Sequence, residues 1–328
     1  MSINAQLMSY YVQQLDNNDP ALHLPMTSVT YGRDITLKPG VDLSYLSSSF
    51  LRNTYAFSGT SNVQGLPYVA RNSNELKDVS LDSEFVQNKI DLLGAQISFT
   101  EPELLASQRL GQPLDVQKMQ AIKTEYEMSN DQVVYIGDSA SGKTGLVNSP
   151  YVTPMNAPNG TSGSPYWKNK TPSEISADVN ALLKQVWFQM GYSNDLPNKI
   201  GLDPETFSYI NSVNFSLAAD KSILEWVKVN NLYTSTTGLP LDIVPMKWIV
   251  NEGTSSKQRM IAYNDDARFL RFVLAPIRPV QPYVRAITYY RPYIWGHGVV
   301  EVIYPQSIGY MDGINDTQSL SIYKPSLG

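Results

Sequence analysis

The amino-acid sequence predicts an α+β fold, and three observations carry that prediction. Residues 171–187, TPSEISADVNALLKQVW, join a helix-start signature to an apolar stripe at helical spacing. Residues 298–305, GVVEVIYP, are apolar on both faces, as a central strand is. Tyr (21), Pro (21) and Gly (20) are plentiful while charged residues make up 17%, which suits strands, turns and contact surfaces better than a helical bundle.

From the N-terminus, Ile3, Leu7, Tyr11 and Leu15 fall at steps of four and predict an amphipathic helix, stopped by DNNDP at 16–20. Residues 21 to about 55 follow as an extended arm carrying Pro25, Pro39 and Gly40. Residues 55–84 read as a hairpin excursion, with Gly59, Gly65 and Pro67 breaking short apolar stretches. Ile90 and Leu92, then Ala95, Ile97 and Phe99, alternate as a strand in which Gly94 shifts the phase, the pattern of a bulge. Thr100-Glu-Pro-Glu103 opens a helix with a capping box. Gly111 and Pro113 interrupt that helix, and Val116, Met119, Ile122 and Tyr126 resume it to about Met128. Val133–Ile136 predicts a strand.

From Gly137 to Lys170 no period is visible and prolines alternate with glycines; a run of that length inside a domain is functional or held by contacts. Thr171 then caps a helix with Pro172 at its first position and Glu174 closing the box. Ile175, Val179, Leu182, Leu183, Val186 and Met190 form its buried stripe, and Gly191 ends it. Trp187 is expected in the core beside that stripe, so that Trp187→Ala costs about 3–5 kcal/mol. Asp203-Pro204 starts a short helix to Ile210, and Ile223, Trp226 and Val227 mark another ending at Asn230-Asn231. Strand-like pieces follow at 241–250, 259–263, 268–274 and 284–290.

A chain of 328 residues buries roughly three quarters of its unfolded surface, and its length suggests roughly two domains. Net charge is −5, and Lys and Arg form no run, which argues against specific recognition of a nucleic-acid duplex. With no cysteine, the chain forms no disulfide, thiolate metal site or Cys nucleophile. MSINAQLMSYY has no signal-peptide pattern, and no apolar run approaches the roughly 20 residues that span a bilayer. The expectation is a soluble, intracellularly made protein with no membrane partner. The sequons at Asn159, Asn169, Asn214 and Asn315 read as chance matches in such a protein.

Gly137, Gly142, Lys143 and Thr144 complete the phosphate-loop pattern G-x-x-x-x-G-K-[ST]. That loop works when a strand delivers it and a helix starting at Lys-Thr aims its amides at phosphate. Val133–Ile136 supplies the expected strand, but Gly145, Pro150 and Pro154 leave no room for the helix, since an interior proline costs about 3 kcal/mol. A second apolar strand ending in a magnesium-binding Asp is also missing, because KWIVNE at 247–252 offers Asn251 and Glu252 instead. The four residues therefore read as a surface turn that mimics the motif, with no nucleotide bound and Lys143→Ala silent for folding. His23 and His297 lack ligand-spaced partners, no G-x-S-x-G elbow occurs, and Glu125/Glu127 and Asp265/Asp266 read as solvated charge. No catalytic residue, metal site or cofactor is expected.

Taken in order, the pieces resemble the major capsid proteins of tailed bacteriophages, the Johnson-fold lineage that encapsulin shells share. ELLASQRLGQPLDVQKMQAIKTEYEMSNDQVVYIGDSASGKTGLVN is similar to its spine-helix region, with Tyr135-Ile-Gly-Asp138 and Gly145-Leu-Val-Asn148 in the places of its Gly-Asp turn and Gly-Leu-[Leu/Val]-Asn segment. TPSEISADVNALLKQVW, SILEWVKVNN at 222–231, RMIAY at 259–263 and GVVEVIYPQSIGYMDGI at 298–314 continue the resemblance, which spans roughly residues 85–314. It implies an N-terminal arm over 1–54, an extended loop over 55–95, a peripheral domain from 96–144 and 291–328 with the spine helix, and an axial domain over 145–290. It further implies a non-enzymatic subunit that assembles into hexamers and pentamers of an icosahedral head, with assembly untouched by Lys143→Ala. The implied partners are scaffolding, portal and decoration proteins and enclosed DNA contacted without sequence preference. The acidic balance is expected to keep an inner wall from gripping that DNA. An encapsulin-like nanocompartment is the alternative, and a phosphate-loop hydrolase the other. Some members crosslink a loop lysine to a neighbour's asparagine; Lys77 and Lys89 lie in the loop region, and nothing in the sequence pairs either with Asn315. No long charged scaffolding segment is visible, so a separate scaffold or a trimmed chain is implied.

Overall fold

In the computed structural model, the described residues are 28–57, 79–110, 114–216 and 219–316. The expected helix over residues 3–15, His23, Lys77, the tip of the 55–84 hairpin and the Gly111–Pro113 break lie outside them.

A single helical turn, α1 (Tyr31–Asp34), precedes an eleven-residue hairpin of β1 (Ser47–Phe57) and β2 (Val79–Lys89), paired antiparallel from Ser47↔Lys89 to Phe57↔Val79. The hairpin thus begins well before residue 55 and ends beyond 84. β3 (Asp91–Thr100) follows, and its inward side chains are Asp91, Leu93, Ala95, Ile97 and Phe99 without interruption. No phase shift occurs at Gly94, because Leu93 takes the inward place and Leu92 is exposed.

The Thr100 box forms as expected: Glu103 N donates to Thr100 Oγ1 at 3.4 Å, and Thr100 N donates to the Glu103 carboxylate at 2.9 Å. It opens α2 (Glu101–Leu110), and α3 (Leu114–Ile136) continues for 23 residues. Val133–Ile136 is therefore the last turn of a helix, and the expected strand is absent. Val134 and Tyr135 are fully buried and Val133 nearly so, so the helix end is apolar on more than one side. A run of four apolar residues carries no period that separates such a helix end from a strand. Gly137, at φ +74°, stops the helix in the left-handed conformation glycine adopts without penalty.

The long irregular run contains only β4 (Met155–Asn156) and a turn at Trp167–Asn169. Thr171 then caps α4 (Pro172–Gln189) with the complete expected box. After β5 (Lys199–Leu202), Asp203 caps α5 (Pro204–Ser212), and β6 (Asn214–Ser216) pairs with β7 (Ala219–Ser222). α6 (Ile223–Val229) ends near Asn230 as expected, and α7 (Leu232–Thr237) follows without an apolar stripe, held by the Asn231 cap and Gly238 at φ +76°. β8 (Asp242–Pro245), β9 (Arg259–Tyr263), β10 (Leu270–Pro279), β11 (Tyr283–Arg285), β12 (Thr288–Val302) and β13 (Gly309–Asp312) complete the chain. The stretch 241–250 is thus strand only to Pro245, and 284–290 is two strands joined at Ala286, whose φ of 53° makes the turn.

The largest sheet has the order β4-β13-β9-β5-β8, and another runs β10-β12-β11 with β3 also on β12. The apolar run from Gly298 is therefore part of a central strand. The chain divides into a smaller compact unit holding residues 94–128 and 279–293 and a larger one holding 29–93, 129–278 and 294–316.

In the larger unit α4 lays Ile175, Val179, Leu182 and Leu183 on the five-stranded sheet, joined by Trp167, Ile200, Met260 and Met311. Gly309 permits the approach, since a Cβ there would lie 2.5 Å from Val186. Trp187 is only half-buried at the edge of this core. In the smaller unit, Lys118 bonds Ser98 O at 2.7 Å over the Phe99 ring, and Tyr283 stacks on Tyr290 at 5.0 Å.

Candidate functional site

The phosphate-loop residues do come together, in a tight turn that closes the C-terminus of α3. Asp138 and Lys143 exchange both backbone hydrogen bonds, at 3.0 and 2.9 Å, and the Asp138 carboxylate accepts from Ala140 N and Ser141 N. The last turn of a helix leaves carbonyls without intrahelical partners. Here Gly145-Leu-Val-Asn148 supplies them: Leu146 N bonds Val134 O at 2.8 Å, Val147 N bonds Tyr135 O at 3.0 Å, and Asn148 Nδ2 bonds Ile136 O at 2.9 Å. Gly145 is required for the contact, since a Cβ would lie 2.3 Å from Tyr135 O.

The turn thus faces the carbonyl, negative end of a helix dipole, whereas phosphate is held at the amide end. No helix follows Thr144 before α4. Nor does a strand precede Gly137, so the one structural support that the sequence had offered for phosphate binding is absent.

Lys143 is itself engaged. Its ammonium lies 2.5 Å from Asp91 and 3.4 Å from the His297 carbonyl, and its side chain is 9% exposed. The lysine holds the Asp91 carboxyl below its ordinary range, against the effect of burial. These contacts replace the expected silence of Lys143→Ala for folding with another expectation: removing the ammonium is expected to cost about 1–3 kcal/mol, because it leaves the His297 carbonyl without this donor and Asp91 with Lys89 alone. Denaturant unfolding checks this, and an unchanged midpoint would refute it.

His297 is buried. Burial holds its pKa below the usual value and the Lys143 ammonium adds to that, while Asp91 and Asp138 act in the opposite sense. A depressed histidine pKa stabilises the fold above the unfolded value of about 6.5, and the contribution is lost as pH falls through the folded value. The melting temperature is expected to fall more steeply between about pH 7 and about pH 5 in the wild type than in His297→Gln. Parallel curves would exclude the histidine as the cause.

Three buried carboxylates bind distant segments of the larger unit together. Asp131 of α3 accepts from Thr30 N at 2.7 Å, Tyr31 N at 3.0 Å and Trp248 Nε1 at 2.6 Å, with Lys247 at 2.9 Å. Asp34 receives a bidentate Arg33 and the Tyr135 hydroxyl, and its carbonyl accepts from Tyr263. Burial, then the nearby Asp34 charge, pushes both tyrosine hydroxyls well above their ordinary pKa. Glu301 gathers Arg271 at 2.7 Å, Lys38 at 3.4 Å and the Ser48 hydroxyl. The segment 30–38 is therefore fixed in place, and Leu37 extends β10 as a parallel bridge to Phe272.

A fourth pair ties the Gly145–Asn148 segment to the sheet. Arg259 makes a bidentate bond to Asp312 at 2.6 and 2.8 Å, bonds Val147 O at 2.6 Å, and lies 4.5 Å over the Tyr310 ring. Tyr310 in turn donates to Leu146 O at 2.5 Å.

The β1–β2 hairpin exposes large apolar side chains. Leu51 and Phe85 are cross-strand partners, 61% and 62% exposed, and Leu81 lies on the same face. Contiguous exposed apolar groups on a soluble chain mark a binding surface.

The remaining sequence candidates do not converge. Asp265 pairs with Lys199 and Asp266 with Arg268, Glu127 lies 3.9 Å from Lys123 on α3, and among the described residues no group of three metal-ligating side chains occurs. No described helix is long and apolar enough to cross a membrane.

The sequence profile of a family described as "Major capsid protein" matches residues 67–314. No curated protein sequence matches the chain. Among solved structures, the capsid of Myoviridae phage XM1 superposes with a TM-score of 0.73 at 14% identity, covering 92% of this chain and 97% of that one. The capsid of an empty GTA particle gives 0.58 at 10% identity, covering 95% and 99%. The holo-SrpI encapsulin of Synechococcus elongatus gives 0.54 at 12% identity, covering 94% and 96%.

Proposed function

The chain belongs to the major capsid protein family, and from that premise we propose that it builds an icosahedral phage head as hexamers and pentamers around the genome. A capsid subunit functions in the virion by contact with copies of itself, and the observation that carries the reading is the exposed apolar face of the β1–β2 hairpin. A strand pair with Leu51, Leu81 and Phe85 open to solvent has the composition of a contact that a neighbour covers. Shell contacts are head-to-tail, and the closed rotation fixes the ring size.

In this reading residues 1–54 form the arm, whose last eight residues already belong to the first hairpin strand, 55–95 the extended loop, 96–144 with 291–328 the peripheral domain, and 145–290 the axial domain. The fixing of residues 30–38 by Asp131, Asp34 and Glu301 supports an arm seated at its base. The chain carries out no reaction, and the turn through Gly137, Gly142, Lys143 and Thr144 terminates a helix and binds no nucleotide. Scaffolding, portal and decoration proteins are the further partners, and packaged DNA is touched without sequence preference.

Negative-stain microscopy of the expressed protein tests the shell. Closed particles or five- and six-membered rings are the expected result, and monomers at every concentration would overturn it. Particles that enclose protein cargo in place of DNA would favour the nanocompartment alternative, which uses the same fold.

A further inference from the structure

We propose that the hairpin of β11 and the start of β12 docks head-to-tail on an acidic surface of a second copy of this chain. The proposal rests on the shell reading and names one of its contacts. From Ala267 to Val300 the sequence holds five arginines and no Lys, Asp or Glu. That segment carries +5, so the rest of the chain, with 20 basic against 30 acidic residues, carries −10.

Three of these arginines have a carboxylate of their own subunit beside them: Arg268 has Asp266 at 3.1 Å, Arg271 has Glu301 at 2.7 Å, and Arg278 has Asp42 in a loose, exposed contact at 4.0 Å. Arg285 and Arg291 are exposed and have no carboxylate partner among the described residues, although Arg291 lies 5.7 Å over the Tyr293 ring. Between them the hairpin turns with Val284 and Ile287 outermost, 58% and 59% exposed. Arg291 also lines an open, largely apolar cleft of about 530 Å³ with Phe99, Pro279, Val280, Pro282 and Tyr289. Guanidinium groups without a carboxylate beside open aliphatic surface are matched by a protein face bearing carboxylates around an apolar anchor.

Two other occupants fit less well. On this hairpin a nucleic acid would find two arginines without a carboxylate among the described residues, enough for about two phosphates and a salt slope near −1.8, and nothing to cover Val284 and Ile287. The same hairpin of another copy, related by a two-fold axis, would set arginine against arginine, since an isologous contact pairs each patch with itself. A head-to-tail contact with the acidic remainder of a neighbour avoids both difficulties.

The test is sedimentation velocity and microscopy of the full-length chain at about 50 mM and about 500 mM salt, where screening separates charged from apolar contacts. R285E/R291E is expected to lower the assembled fraction at least about tenfold at low salt, which corresponds to about 1.4 kcal/mol per contact. R285K/R291K is expected to retain most of it, and both variants to melt as the wild type does, since neither arginine bonds a carboxylate within the described chain. Association of R285E/R291E equal to wild type, or loss confined to retained nucleic acid, would overturn the docking. Wild type that never closes shells counts against the shell reading, whereas unchanged self-association in R285E/R291E counts against this contact whether or not shells close.

Discussion

Arg259→Met lowers the unfolding free energy by about 3–5 kcal/mol, the cost of leaving a buried carboxylate without its cation. Asp312 is 2% exposed and receives two bonds from the Arg259 guanidinium, with Thr254 donating from its amide and hydroxyl at 2.8 Å each. Burial alone would raise the Asp312 pKa, and the bonds from Arg259 and Thr254 outweigh it and hold the group below its ordinary range. A lowered carboxylate pKa contributes stability above the unfolded value of about 3.9, and that stability is lost as pH falls through the folded one. The arginine also holds Val147 O, so its loss loosens the segment that completes α3. Chemical unfolding of unassembled subunits measures the effect. Replacing both partners, as R259M/D312L, is expected to recover most of it, because a buried pair exchanged for apolar groups is often neutral. A single-variant loss below about 1 kcal/mol would mean that Asp312 finds water when Arg259 leaves.

Trp167→Ala is the second large expected effect, again about 3–5 kcal/mol. Trp167 is fully buried, and its indole N–H donates to Asp178 at 2.9 Å, where Lys170 also binds at 2.5 Å. Burial raises the Asp178 pKa while Lys170 and Trp167 lower it, so the alanine variant both opens a cavity and removes a donor from a costly carboxylate. Trp167→Phe separates the two: it keeps most of the volume and is expected to cost about 1–3 kcal/mol for the lost hydrogen bond. Equal losses in the two variants would show that packing has no share. Trp187→Ala, expected from sequence to be the severe change, is now expected to cost less than Trp167→Ala, because Trp187 packs at the edge of the core without being fully buried and its indole bonds the Ser193 carbonyl.

The difference between the tryptophans shows which signals a sequence carries. Both capping boxes, Thr100–Glu103 and Thr171–Glu174, were legible because donor and acceptor lie three residues apart and the chemistry is local. The α4 stripe was legible because burial on one face imposes a period. Val133–Ile136 was misread because burial all round erases the period that distinguishes helix from strand. The motif at Gly137–Thr144 was spelled out in full, yet its meaning depends on which end of a helix it meets. Its lysine partner, Asp91, lies 52 positions away by the numbering. Asp131 with Thr30, and Arg259 with Asp312, are separated by 101 and 53 residues, and no local pattern announces such pairs.

The order β4-β13-β9-β5-β8 has a consequence for the timing of synthesis. β13 lies between β4 and β9, yet it comes from residues 309–312, far behind both along the chain. At roughly 5–20 residues per second, a ribosome needs on the order of several seconds to travel from Tyr263 to Gly309. During that interval β9 has a bare edge and β4 has no described neighbour, the condition in which strands pair with the wrong chain. The late strand works as a final stitch, and a nascent subunit cannot close its central layer before that strand has left the exit tunnel.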